Sequence, residues 1–337
     1  MMAETLLDRH DAVLFDLDGT IYHGTRPIPN AAEAVAQVRD RGRPVRFVTN
    51  NASKSPDAVA KHLAGVGVSA SAAEVSTSAQ AGAALLRERL PDDALVLVVG
   101  TAALEAEVQA VGLRTTRKNA PEVAAVVQGH SPDTCWSDLA EACLAVRGGA
   151  WWVACNADAT LPSERGQLPG NGSMVAALRT ATNREPEVAG KPEAPLLRTA
   201  ARSVEANSAL VVGDRLDTDI AGAAAAGYRS LVVLTGVATA KRLLAAAPGE
   251  RPDYLAVDLA VLTSEVNATD LEIGPRPGWR VTVDGDVLAV AAEDSGDQAD
   301  RVDLLRHLCH AAWSSSVTTV RAEDEQAERA LSSWGLL

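Results

Sequence analysis

The stretch Ala12-Val13-Leu14-Phe15-Asp16-Leu17-Asp18-Gly19-Thr20 runs four apolar residues into two carboxylates, a glycine and a hydroxyl. An unbroken apolar run that stops at a polar turn is the pattern of a strand covered on both faces, whereas a half-exposed strand alternates. Similar runs recur at 44–48, 209–212 and 230–234, each followed by polar or glycine-containing turn residues. Between them, residues 31–41, 57–65 and 195–204 carry apolar side chains at three- and four-residue spacing, which suits crossover helices. The implied architecture is a parallel α/β sheet, Rossmann-like in its winding, whose chemistry lies beyond the strand carboxyl ends. Asp16 and Asp18 stand at one of those ends, and if strand geometry persisted through them both side chains would face the same way.

Working outward, a second α/β pattern interrupts the first between about 85 and 186. Its strands are expected at 95–99, 123–127 and 150–154, and its helices at 103–111, 137–146 and 173–181. Beyond 262 the character changes again, at the stiff connector Gly274-Pro275-Arg276-Pro277-Gly278. Residues 280–283, Asp284-Gly285 and 286–290 then read as a hairpin, because Asp-Gly suits a two-residue turn with positive φ. Val302, Leu305, Cys309 and Ala312 mark one helical face. The expected organisation is three modules: 1–84 with 187–265 as a core, 85–186 as an inserted domain, and 270–337 as a small α+β extension. All six tryptophans fall in the insert or the extension, and residues 270–337 hold 13 acids against 6 arginines, which sets these regions apart from the core.

The paired carboxylates could divide two tasks. One attacks phosphorus and forms an aspartyl phosphate; the other protonates the leaving oxygen and later deprotonates water. Gly19 permits the sharp turn and Thr20 can hydrogen-bond across it. Alone, the pair is equally an acidic turn after a strand. Three further segments change the balance, each at a strand end or helix start. Thr49-Asn50-Asn51 offers a hydroxyl and amides to phosphoryl oxygens. Gly190-Lys191-Pro192 places one of only five lysines where its ammonium could offset negative charge. Gly213-Asp214-Arg215-Leu216-Asp217-Thr218-Asp219 supplies acids for a hard cation.

With these four segments in this order, the sequence resembles the haloacid dehalogenase superfamily of Mg²⁺-dependent phosphatases. The insert, with Gly170-Asn171-Gly172-Ser173 leading into Gly190-Lys191-Pro192, is similar to the subclass IIA enzymes with a C2-type cap, a group of para-nitrophenyl, phosphoglycolate and glycerol-phosphate phosphatases. The resemblance covers about residues 8–262. It implies Asp16 as nucleophile and Asp18 as general acid and base, with Thr49 and Asn50 holding the phosphoryl group and Lys191 neutralising it. It implies Mg²⁺ on the Asp16 carboxylate, the Asp18 main-chain carbonyl and Asp214, with Thr20 and Asp219 in support. A cation is needed on physical grounds too, since two unit charges about 4 Å apart repel by roughly 4 kcal/mol at an effective dielectric of 20.

In the cap, Asn156, Asp158, Arg165 and Asn171 offer amide, carboxylate and guanidinium groups without an aromatic ring. That set suits hydroxyls on a short carbon chain, so glycerol 3-phosphate leads as the expected substrate. Phosphoglycolate comes second through Arg165, and pyridoxal phosphate trails for want of stacking surface. A phospho-receiver module shares the acids, Thr and Lys but lacks the second Asp and a cap-sized insert.

The formal charge of −13 repels a phosphate backbone, so nucleic acid is not an expected partner. No apolar window is long enough for a membrane span, and Cys135, Cys143, Cys155 and Cys309 form no CxxC pair. These features point to a cytoplasmic protein acting on a small phosphorylated metabolite, with a homo-oligomer left open. His307 and His310 share a helical face but have no evident further ligand, and Trp151 and Trp152 are expected to pack a cap strand. The extension is faintly similar to part of an N-acetyltransferase fold. It lacks a glycine-rich acyl-CoA loop, so a second catalytic activity is not expected.

Overall fold

The computed structural model describes residues 4–163, 165–293 and 300–337; residues 1–3, 164 and 294–299 lie outside the described residues. The chain forms two compact units, one of Met1–Val45 with Ala206–Leu337 and the other of Arg46–Glu205. It passes from the first to the second inside the strand Val45–Thr49.

In the first unit, four parallel strands lie in the order Tyr254–Ala256, Arg229–Val233, Leu210–Gly213, Val13–Phe15. Val13, Leu14 and Phe15 pair with Leu210, Val211 and Val212, and all six are buried, as the continuous apolar runs require. The helix Ala31–Asp40 buries Ala31, Ala34, Val35 and Val38, the one-face spacing of an amphipathic helix. After Gly213 the chain makes a π-helical turn, Leu216–Ile220, before the helix Ala221–Ala226. The extra residue in that turn re-aims the acids it carries.

The extension belongs to this same unit. Its strands Trp279–Asp284 and Val287–Ala292 form an antiparallel hairpin, and Thr319–Ala322 joins the second strand in parallel after the helix Arg301–Ser315. Because Asp284 pairs with Val287, the two loop residues are Gly285 and Asp286. The turn therefore sits one residue later than the Asp284-Gly285 expected from sequence. Gly285 takes φ +63° and Asp286 does not go positive, which fits a II′ turn with glycine first. Leu304, Leu305, Leu308, Cys309 and Ala312 of the helix join Trp279, Leu288 and Val290 in one core cluster with Leu216, Val232, Leu243 and Leu255. Polar anchors accompany the burial: Arg306 donates to Leu255 O from Nε (3.2 Å) and Nη2 (2.7 Å), and Trp313 Nε1 donates to Leu243 O at 2.9 Å.

In the second unit, five parallel strands run in the order Glu187–Val188, Trp151–Ala154, Val123–Gln128, Leu95–Val99, Arg114–Thr116. The helices Ala102–Ala110, Trp136–Arg147 and Asn171–Thr182 fall where the periodicity places them, within two residues at each end. Trp152 is buried and donates from Nε1 to Gln128 Oε1 at 3.2 Å, while Trp151 lies under the Arg89 guanidinium, so both tryptophans serve packing. The strand Val45–Thr49 pairs in parallel with Val75–Thr77, after which Thr77 caps the helix Ser78–Arg89 by accepting from Gln80 N at 3.2 Å. A separate hairpin, Thr160–Ser163 with Gly166–Pro169, precedes Asn171.

Candidate active site

In the first unit the acids gather at the carboxyl ends of the two central strands. Asp16 N donates to Val212 O at 2.8 Å, which carries the sheet pairing one residue past the end of the Val13–Phe15 strand. The chain then folds back: Leu17 O accepts from the main-chain N of Thr20, Ile21 and Tyr22, and Gly19 N donates to Tyr22 O at 2.8 Å. Asp16, Asp214 and Asp219 bring ligand oxygens within 4.8 Å of one another, whereas the exposed Asp18 carboxylate is not in that group. The strand itself ends at Phe15, so Asp16 and Asp18 both stand just beyond it.

Close approach of backbone to carboxylate defines the acidic pocket. A Cβ on Gly19, which has φ +88°, would stand 2.4 Å from Asp214 Oδ2, and one on Gly236 would stand 2.0 Å from the same atom. Val237 N donates to that oxygen at 2.7 Å, and Thr235 Oγ1 donates to Gly19 O at 2.6 Å. Arg215 N donates to Asp219 Oδ2 at 3.1 Å. The Arg215 guanidinium instead engages the exposed Asp217, through Nε at 3.2 Å and Nη2 at 2.8 Å, and holds that carboxyl below its usual range. Burial, with the charges of Asp18 and Asp16, pushes the Tyr22 phenol well above its ordinary value.

Asp214 and Asp219 are each only 1% exposed. Carboxylates this close and this buried repel by several kcal/mol, of order 4 per pair at 4 Å and a dielectric of 20, unless a cation joins them. Oxygen-only donors with a backbone cradle shaped around one of them fit a hard divalent cation. Thr20 Oγ1 is buried with no hydrogen-bond partner among the described residues, beside this turn.

The second unit holds the lysine. Lys191 is 3% exposed, and its Nζ lies 3.4 Å from Val48 O. Asn50 accepts from Lys191 N at Oδ1 (2.8 Å) and donates from Nδ2 to Lys191 O (2.9 Å) and to Asp158 Oδ2 (3.2 Å). Both amide hydrogens are thus committed within the protein, and the Asn50 side chain has no donor left for a phosphoryl oxygen. Asn156 Nδ2 donates to Asn50 O at 2.7 Å, and Asn171 Nδ2 donates to Asn156 O at 2.7 Å and Gln128 O at 3.3 Å. Thr49 Oγ1 accepts from Asn51 N at 3.1 Å.

The structure therefore brings Asn50, Asn156, Asp158, Asn171 and Lys191 together through hydrogen bonds, while Arg165 is exposed at the turn of the hairpin Thr160–Ser163 with Gly166–Pro169. Sequence reasoning missed Gly236 and Val237, although they follow an apolar run at a strand end, the same signal that marked Asp16. His307 Nδ1 accepts from Arg276 N at 3.4 Å, and burial pulls its pKa down, as expected of a packed helix residue.

Residues 13–114 match the family described as Haloacid dehalogenase-like hydrolase, and residues 188–262 the HAD-hydrolase-like family. A D-glycerol 3-phosphate phosphatase of Mycobacterium tuberculosis is 47% identical over 345 residues, covering 99% of this chain and 96% of the relative. The chain belongs to the haloacid dehalogenase-like hydrolases. The crystal structure of a glycerol phosphate phosphatase from M. tuberculosis in complex with magnesium superimposes with a TM-score of 0.94 at 49% identity, covering 99% of this chain and all of the other. A 5′-nucleotidase of Bacillus subtilis is 38% identical over 226 residues, covering 66% of this chain and 87% of the relative. Residues 276–336 match the GCN5-related N-acetyltransferase like domain, in keeping with the strand–helix–strand order of the extension. In this hydrolase no described helix is long and apolar enough to cross a membrane.

Proposed function

We propose that the chain is a Mg²⁺-dependent phosphatase that hydrolyses glycerol 3-phosphate to glycerol and phosphate. The observation that carries the substrate is the 47% identity to a D-glycerol 3-phosphate phosphatase along essentially the whole of both chains, extension included. Asn156 and Asn171 are buried, and Asn171 has both amide hydrogens on main-chain oxygens, so these two shape this region rather than offer donors to a substrate.

Asp16 attacks phosphorus, and the P–O bond to glycerol breaks as Asp18 gives its proton to the leaving oxygen. Asp18 then takes a proton from water, which attacks the aspartyl phosphate and releases phosphate with Asp16 regenerated. Asp16, Asp214 and the Asp18 main-chain carbonyl would hold the Mg²⁺, with Asp219 and Thr20 in support. When bound, the ion supplies positive charge that allows an anionic nucleophile to meet an anionic substrate. Lys191 adds a second positive charge, and Thr49 contributes its hydroxyl to phosphoryl binding.

Residues 1–84 with 187–265 are proposed as the catalytic segment, 85–186 as the cap and 270–337 as an accessory domain. Four free thiols suit a reducing, cytoplasmic setting. The net negative charge supports a small metabolite over nucleic acid as partner.

Steady-state kinetics in Mg²⁺ test the substrate. The highest kcat/KM is expected for glycerol 3-phosphate; a clearly higher value for phosphoglycolate, pyridoxal 5′-phosphate or a nucleoside 5′-monophosphate overturns that choice while leaving the phosphatase chemistry in place.

A further inference from the structure

We propose that Asn50 is a positioning residue whose one carboxamide locks Lys191 to Asp158, so that the lysine and the cap carboxylate are set as a single rigid piece. The proposal rests on the reading of Lys191 as the group that offsets phosphoryl charge. Asn50 makes a two-point clamp on the main chain of residue 191, accepting from its N–H at 2.8 Å and donating to its carbonyl at 2.9 Å, as a neighbouring strand would. The remaining amide hydrogen goes to Asp158 Oδ2 at 3.2 Å. Among side chains of this length only Asn offers one acceptor and two donors in a plane.

The surroundings are built for that clamp. A Cβ on Gly190 would stand 2.6 Å from Asn50 Oδ1 and 2.6 Å from Cys155 O, so residue 190 leaves the space the amide occupies. The main-chain oxygen of Asn50 is itself fixed, accepting from Ser78 Oγ at 2.6 Å and Asn156 Nδ2 at 2.7 Å. Asn156 Oδ1 accepts from Asp158 N at 3.2 Å, and Asn156 O is held by Asn171. Three asparagine amides in series thus connect the start of the Asn171–Thr182 helix to Lys191. Lys191 is buried and its Nζ lies 3.4 Å from Val48 O, so a shift of its main chain carries a closely packed ammonium with it.

The chemistry gives a reciprocal test. N50D keeps the acceptor for Lys191 N–H but turns a carboxylate oxygen toward Lys191 O and Asp158, where a proton must now be shared between two acids. N50D should lower kcat on glycerol 3-phosphate by about tenfold or more, with KM changing less, and shift the optimum toward acid. N50D/D158N restores one donor–acceptor pair, so kcat should recover beyond the sum of the single effects and the pH profile should return. Additive effects in the four-variant cycle, with an unmoved pH profile in a folded N50D, overturn the proposal. Should N50D not fold, N50S removes the amide without adding charge; kcat within about twofold of wild type in N50S also overturns it. Loss of Mg²⁺-dependent hydrolysis in the wild-type protein would instead sink the phosphatase reading, and the two failures are separable.

Discussion

Gly236 lies against the carboxylate of Asp214 so closely that a methyl group on it would stand 2.0 Å from Oδ2, the oxygen that also accepts from Val237 N at 2.7 Å. Backbone therefore shapes one wall of the acidic pocket. G236A must displace the Asp214 carboxylate or the main chain that packs against it. The expected result is a folded protein whose Mg²⁺ requirement rises by about tenfold or more, measured as the concentration giving half-maximal activity. An unchanged requirement would show that Asp214 does not depend on this contact.

Arg306 and Trp279 tie the extension to the central sheet, and their burial changes what truncation should do. The extension covers Leu216, Val232, Leu243 and Leu255, so a chain ending near Gly274 exposes that surface to water. Removal should yield a protein that aggregates or melts well below wild type, although no acid of the proposed mechanism is lost. W279A separates stability from chemistry: it removes a side chain only 2% exposed and should cost about 3–5 kcal/mol, read as a lower Tm. At a temperature where the variant is folded, kcat should stay within about twofold of wild type. A large fall in kcat with Tm unchanged would mean the extension reaches the chemistry.

The strands that carry the acids were legible because each is a solid apolar run ending at a polar turn, as at Phe15-Asp16 and Gly213-Asp214. Val75–Thr77 was not, since a three-residue strand of one valine and two hydroxyl residues has no period and runs directly into its own helix cap. Asp284-Gly285 carried a true turn signal, but register, which depends on the partner strand, moved the loop by one residue. Residue type also singled out Asn50 without showing where its amide points. Whether an amide faces substrate or protein depends on Lys191 and Asp158, which lie far along the chain from it.

His10 provides a pH dependence that does not involve catalysis. Its Nδ1 lies 3.0 Å from Ser208 O, its ring meets Tyr254 edge-on at 5.9 Å, and its Nε2 is buried with no hydrogen-bond partner among the described residues. Burial is the largest cause that lowers its pKa below the ordinary 6.5, so the folded protein keeps the ring neutral while the unfolded chain takes up a proton near that value. Stability from this group is full above about pH 6.5 and falls as pH drops below it, with a slope of at most about 1.4 kcal/mol per pH unit. Urea unfolding at pH 7 and pH 5 should show a smaller acid loss for H10Q than for wild type; equal losses would remove His10 from the account.

The two acids at the end of the first strand should respond differently to the same isosteric change. Asp16 belongs to the carboxylate group formed with Asp214 and Asp219, whereas Asp18 is exposed and outside it. D16N removes both the attacking oxygen and a cation ligand, so turnover should vanish. D18N leaves the nucleophile in place and removes only the proton donor and acceptor, which should lower kcat by about 10²–10⁴-fold. The loss should be smaller for the first step when the leaving group is p-nitrophenolate, which departs without a proton. Rapid-quench experiments with p-nitrophenyl phosphate should then show a burst of p-nitrophenol and phosphorylated Asp16 in D18N, because the water step still lacks its base. Chelation should abolish activity in wild type and D18N alike, with recovery on adding Mg²⁺. Full turnover in D16N, or equal behaviour of the two variants toward p-nitrophenyl phosphate, would contradict the assignment of Asp16 as nucleophile and Asp18 as acid and base.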